Sequence, residues 1–175
     1  MNLHLVDFNG ELVDAWAEAF APFPEVTIDQ GDLLAAAKHC VVSPANSYGF
    51  MDGGIDAAYR AFFGAQIEIK VQEAIKRRAE GHLPVGASLV VRTENQRVPF
   101  LIVAPTMTIP EQVMSQNCYR AMRAILRVAV GEVARDVYCP GLGTGVGMVP
   151  PANAAAMMAQ AYGEWKRSSK EATEP

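Results

Sequence analysis

Hydrophobic positions along this chain switch between period two and period 3.6 from one end to the other, and the switches mark its elements. Leu3 to Val6 is a short β run, and Leu12, Trp16, Ala19 and Phe20 recur at helical spacing until Pro22-Phe23-Pro24 ends the helix. Val26 to Asp29 reads as a second strand closed by Gly31-Asp32, and Cys40 to Ser43 as a third. A helix is expected to start near Gly54, with Ile55, Ala58, Tyr59 and Phe62 facing inward, and Gly64 breaks it. The next helix is expected from Ala65 to Glu80, burying Ile67, Val71, Ala74, Ile75 and the stem of Arg78 before Gly81 stops it. Ala87 to Thr93 should pair with Phe100 to Ala104 across Glu94-Asn95-Gln96-Arg97. After Pro110 a long helix should carry Cys118, Met122, Ile125, Leu126, Ala129 and Val133 on one face, and Asp136 to Cys139 forms the last strand. Pro150-Pro151 opens a final helix, where proline suits the first turn, with Ala155, Met158, Tyr162 and Trp165 on its apolar face. Lys166 to Pro175 is polar and expected to fray.

Strands alternating with helices imply an α/β fold, a three-layer α/β/α sandwich with a mixed, largely parallel central sheet. The expected organisation is a single domain over residues 1–166 and a polar tail over 167–175, with no internal repeat or linker. In such sheets ligands bind beyond the carboxyl ends of the strands. Gly31-Asp32 and two longer glycine-rich segments all follow predicted strands, so all three are expected on one rim.

Those two segments carry the strongest chemical signal. They are Ser43-Pro44-Ala45-Asn46-Ser47-Tyr48-Gly49-Phe50-Met51-Asp52-Gly53-Gly54-Ile55-Asp56 and Cys139-Pro140-Gly141-Leu142-Gly143-Thr144-Gly145-Val146-Gly147-Met148-Val149-Pro150. Each leaves a β run and leads into a helical pattern, which aims backbone N–H groups and a helix N-terminus at one spot. Neither contains Lys or Arg. A phosphate held there is held by dipoles, and two converging loops could grip both phosphates of a nucleotide diphosphate.

Composition narrows the partners. Half of the 175 residues are hydrophobic, enough to bury a full core. A net charge of −4 argues against general nucleic-acid binding, which needs a basic face. Cys40, Cys118 and Cys139 form no CxxC pair and are expected to be buried, reduced thiols. No run approaches the ~18 consecutive apolar residues of a membrane span. Met1-Asn2-Leu3-His4 lacks the basic start of a signal peptide, so a cytoplasmic, monomeric protein without membrane contact is expected. His4, His39 and His82 lack metal-ligand spacing, and no metal or cofactor is expected.

Familiar nucleotide and hydrolase motifs fail. GxxxxGK[ST] is absent, Val146 and Met148 stand where a GxGxxG would need glycine, and no GxSxG elbow occurs. Instead, Gly31-Asp32-Leu33, Ser43-Pro44-Ala45-Asn46, Gly53-Gly54-Ile55-Asp56 and Gly143-Thr144-Gly145-Val146-Gly147 resemble the macro domain in order and separation, across almost the whole chain.

That resemblance implies an ADP-ribose site. Asp32, beside Leu33, would recognise the adenine amine, and Asn46, after Ala45, the distal ribose. Gly53, Gly54 and Ile55 would contact one phosphate, and Thr144, Gly145, Val146 and Gly147, flanked by Gly143 and Met148, would close over the diphosphate. In the hydrolytic branch resembling MacroD enzymes an acid after the glycines activates water at the anomeric carbon, a role that falls on Asp56. Two roles stand open for Asp56: this one, and a structural one in which it caps the helix that begins there or favours its dipole. Gly147 departs from that branch, which places an aromatic residue near this point, and Tyr48, Phe50 and Met148 are the candidates to replace it. Ser43-Pro44 also replaces the more usual Asn-Ala. The implied activity is hydrolysis of ADP-ribosyl bonds on proteins or of acyl esters of ADP-ribose, with Asn46 and Asp56 at the reactive end. A non-catalytic reader of free or macromolecule-linked ADP-ribose is the alternative.

Overall fold

The apolar runs assemble into one six-stranded sheet. The computed structural model describes residues 1–171. In chain order the elements are β1 (Asn2–Asp7), α1 (Gly10–Ala19), β2 (Thr27–Gln30), α2 (Leu33–Ala36), β3 (Cys40–Ser43), α3 (Gly54–Phe63), α4 (Gln66–Lys76), β4 (Leu89–Arg92), β5 (Phe100–Val103), α5 (Gln116–Val128), β6 (Asp136–Cys139) and α6 (Pro151–Glu171). The strand order is β2-β1-β6-β3-β5-β4. Every pairing is parallel except that of β4 with β5.

Strand periodicity divides the core in two. Leu3 and Leu5 of β1, Cys40 and Val42 of β3, and Phe100 and Ile102 of β5 face α1, α5 and α6, where Trp16, Met122 and Met158 are fully buried. Val6, Val41, Leu101 and Val103 face the other way, against Leu33, Tyr59, Ile67, Val71 and Ile75 of α2, α3 and α4. A sheet buried on both faces and covered by helices is the three-layer α/β/α sandwich.

The helical elements differ from the spacing-based expectation in defined ways. Ala58 and Phe62 point outward from α3, and the Phe62 ring lies under the Arg97 guanidinium, 5.3 Å from its centroid. A long-range cation–π contact therefore uses an aromatic that helical spacing assigns to the core. The second helix ends at Lys76, and the helix after Pro110 ends at Val128, with Val133 in a separate 3-10 turn over Gly131–Ala134. The last helix continues to Glu171 instead of fraying from Lys166, helped by Lys166, which bonds Glu25, and by the Ser168 hydroxyl, which donates to the Glu164 carbonyl. Residues 172–175 of the expected polar tail lie outside the described residues.

Candidate functional site

β1, β2, β3 and β6 run parallel, so Asp7, Gln30, Ser43 and Cys139 end on one rim. The loops leaving that rim enclose a cavity of about 480 Å³. The loop after β3 contributes Ala45, Asn46, Gly53, Gly54, Ile55 and Asp56 to its wall, and the loop after β6 contributes Gly143, Thr144, Gly145 and Val146. Leu33 joins from the first turn of α2.

Three of the expected residues stand outside this wall. Asp32 is exposed and caps α2, its Oδ1 accepting from the Leu34 amide at 2.9 Å. Gly147 is buried under its own loop, and Met148 faces solvent with φ +53°. The reason is the closure of the loop on itself. The Met148 amide donates to the Gly145 carbonyl and the Val149 amide to the Gly143 carbonyl, each at 3.0 Å. A Cβ on Gly147 would stand 2.6 Å from the Gly143 carbonyl oxygen, so this loop geometry has no room for an aromatic there. Of the three candidate replacements, Phe50 lines the cavity and Tyr48 and Met148 do not.

The first loop is shaped by Asn46. Its Oδ1 accepts from the Tyr48 and Phe50 amides at 3.1 and 3.3 Å, and its Nδ2 donates to the Phe50 carbonyl at 2.9 Å. The side chain thus staples the turn that carries Phe50, and its oxygen has both lone pairs engaged, so one N–H is what it retains for the cavity. The same loop then enters α3 through Gly53 and Gly54. Gly54 has φ +55°, a conformation costly for any other residue, and a Cβ on either glycine would meet nothing within 4 Å. The first amides of α3 have no intrahelical partner, and the N-cap Gly53 supplies no side chain. They are open donors at the cavity wall.

Asp56 sits in that first helical turn, 8% exposed. Its carboxyl does not close the helix end. Oδ1 instead accepts from the Ser43 hydroxyl at 2.6 Å. Burial pushes the Asp56 carboxyl up from 3.8 to about 7, against the opposing pull of the Ser43 hydrogen bond. A carboxyl with that value changes charge near neutral pH, in the range of a general base.

The loop after β6 is tied down by a residue that motif reading missed. Asp7 accepts from the Asn9 amide through Oδ1 and from the Gly141 amide through Oδ2, each at 3.0 Å, so its carboxylate joins the β1 and β6 loops. Phe8 and Asn9 follow it into the wall. The signal was available, since a loop after any parallel strand belongs to the rim. Thr106 and Met107, just past β5, enter for the same reason. Among the described residues no Lys, Arg or His lines the cavity, and no group of three or more His, Cys, Asp or Glu residues is placed to hold a metal ion. An anion there must rely on the α3 N-terminus and the backbone of the second loop.

The comparisons with known proteins agree with this architecture. The family model described as Macro domain matches residues 42–158. An uncharacterised protein of Aquifex aeolicus is 33% identical over 137 residues, which cover 78% of this chain and 79% of the relative. A Macro domain-containing protein of Listeria monocytogenes is 25% identical over 143 residues, 81% of this chain and 80% of the relative. Among solved structures, the macrodomain of Mycobacterium tuberculosis DarG aligns with a TM-score of 0.67 at 23% identity, covering 78% of this chain and 88% of its own. Thermosipho africanus DarTG, solved in complex with ADP-ribose, aligns with a TM-score of 0.65 at 17% identity, covering 77% of this chain and 37% of its own. At these identities the structural likeness speaks for the fold.

Proposed function

Because this chain belongs to the macro-domain family, we propose that it binds ADP-ribose in the rim cavity and hydrolyses ADP-ribosyl bonds on proteins or acyl esters of ADP-ribose. The diphosphate lies between the α3 N-terminus and the tip of the second loop at Gly145. Gly53, Gly54 and Gly145 support this placement, because the space a Cβ would fill is empty at all three. The observation that carries the catalytic reading is the buried Asp56 carboxyl in the cavity wall, hydrogen-bonded to Ser43 and pushed up to about 7 by its burial. In the reaction its carboxylate takes a proton from water. The water oxygen bonds to the anomeric carbon of the distal ribose, or to the acyl carbon of an ester, and the bond to the leaving oxygen breaks. The electron pair departs on that oxygen, which takes up the proton that Asp56 received, and the carboxylate is restored.

A reader function has one observation in its favour, the engagement of the Asn46 amide by the backbone of its own loop. Turnover separates the two. On mono-ADP-ribosylated protein and acetyl-ADP-ribose, Asp56→Ala is expected to lower kcat by about 100-fold or more, a usual general-base effect, while ADP-ribose affinity changes little. A wild-type protein that binds ADP-ribose and turns over neither substrate is a reader.

A further inference from the structure

Ser43 places a hydroxyl in an otherwise apolar strand, Cys40–Ser43, and is 1% exposed. A buried hydroxyl without a partner is costly, and this one donates to Asp56 Oδ1 at 2.6 Å. Ser43 does not line the cavity, so it neither touches a ligand nor serves as a nucleophile.

Its position is fixed from both sides. The Ser43 carbonyl accepts from the Ala104 amide at 3.0 Å, and Ser43 pairs with Val103 of β5. Pro44 follows, which confines Ser43 to an extended backbone, and the Pro44 carbonyl accepts from the Thr106 hydroxyl at 3.2 Å. The helix that carries Asp56 is held to the same strand by a second bond, from the Tyr59 hydroxyl to the Val42 carbonyl at 2.8 Å. Among the described residues Asp56 Oδ2 has no protein partner. Strand and helix are thus locked together with one carboxyl oxygen restrained and the other left over.

We propose that Ser43 is a positioning residue for hydrolysis: donating from a pinned strand end, it fixes the Asp56 carboxyl so that Oδ2 takes the proton of the attacking water. The proposal rests on Asp56 being the base. The ionisable groups around this pair are Tyr59 on α3, which feels the charges of Asp56, of Cys139 on β6, of Cys40 on β3 and of Asp7 at the end of β1, then the exposed Asp52 in the loop before α3, and Arg60 one turn beyond Asp56 on the same helix. Arg60, the cation among them, is half-exposed and paired with Glu68 at 2.8 Å, and the Asp7 carboxylate is engaged by the Asn9 and Gly141 amides. The Ser43 hydroxyl is the group that favours the charged form of Asp56, in opposition to burial.

The test follows the Asp56 carboxyl by carbon-13 NMR, with Asp56→Asn to assign the signal, beside the pH dependence of kcat and KM. Ser43→Ala is expected to move the Asp56 titration upward by about one pH unit or more, the size of a hydrogen bond to a charged group. The acidic limb of kcat should move upward with it, KM should hold, and Ser43→Thr, which keeps the hydroxyl, should restore both. Should Ser43→Ala fail to fold, Ser43→Cys, a weaker donor of similar shape, is expected to shift both in the same direction. An active wild type whose titration and acidic limb stay in place in the variant overturns the role of Ser43 alone. A wild type that binds ADP-ribose without turnover overturns the catalytic reading of Asp56, and the proposal with it.

Discussion

The loops after β3 and β6 are both rich in glycine, yet glycine serves different ends in the two. In the first, Gly49 packs tightly under α4, where a Cβ would stand 2.8 Å from Val71, but a Cβ on Gly53 or Gly54, at the cavity, would project into open space. In the second, a Cβ on Gly141 would stand 2.3 Å from the Thr144 hydroxyl and 2.6 Å from Leu12, and one on Gly147 would meet the Gly143 carbonyl. Only Gly145, at the tip, is open among Gly141, Gly143, Gly145 and Gly147. Where it meets α3, the first loop is small so that a ligand can approach a helix end. The second is small chiefly so that it can fold upon itself, and it presents its tip to the cavity. Glycine content alone does not separate the two uses; the space around each Cβ position does.

The comparison can be broken most sharply at Gly145. Gly145→Glu places a carboxylate where the account puts a diphosphate, and two unit charges about 4 Å apart cost roughly 4 kcal/mol at an effective dielectric near 20, close to a thousandfold in affinity. Thermal unfolding should be unchanged, since nothing in the fold occupies that space. A Gly145→Glu protein that binds ADP-ribose within a few-fold of wild type refutes the placement of the second loop.

Asp56 probes the first loop through stability. Its folded value of about 7 lies above its ordinary 3.8. The unfolded chain therefore loses the proton first as pH rises, so this group's stabilising contribution is complete below 3.8 and is lost as pH climbs through about 7. Asp56→Asn should consequently stabilise the protein at pH 8 relative to pH 4, by roughly 2–4 kcal/mol for a shift of this size. Denaturant titrations at the two pH values check it. A constant difference between variant and wild type at both would mean that the carboxyl is not raised.

At Gly147 the expected loss is of folding. Gly147→Ala must displace a backbone carbonyl, an overpacking cost of about 1–3 kcal/mol read in urea unfolding, with weaker ADP-ribose binding as a consequence. The smallest effect is expected at Asp32. Asp32→Asn keeps a good N-cap and should leave stability within about 0.5 kcal/mol, whereas Asp32→Ala loses the cap at about 1 kcal/mol. Any fall in ADP-ribose affinity shared by the two variants measures adenine recognition, free of the capping term.

What was legible in the sequence follows from the range of the interactions. The six strands and the rim were readable, because period-two runs and the loops that follow them are local features. α2 was not, since Leu33–Ala36 is too short to show a period. The outward turn of Phe62 depends on Arg97, which arrives from the turn between β4 and β5. The Asp7–Gly141 tie joins residues 134 positions apart, and no spacing rule could supply it. The Ser43–Asp56 bond lies between two motifs each readable alone, but only the packing of α3 against the end of β3 shows that they meet.

The central claim is that the rim cavity takes ADP-ribose through backbone dipoles, without a basic side chain. Calorimetric titration of the wild-type protein with ADP-ribose tests it directly, with AMP and GDP-ribose as comparison ligands. The account predicts binding of ADP-ribose in the micromolar range and much weaker binding of the other two, because AMP lacks the diphosphate bridge and GDP-ribose the adenine. No heat with ADP-ribose, or equal affinity for all three, would contradict it.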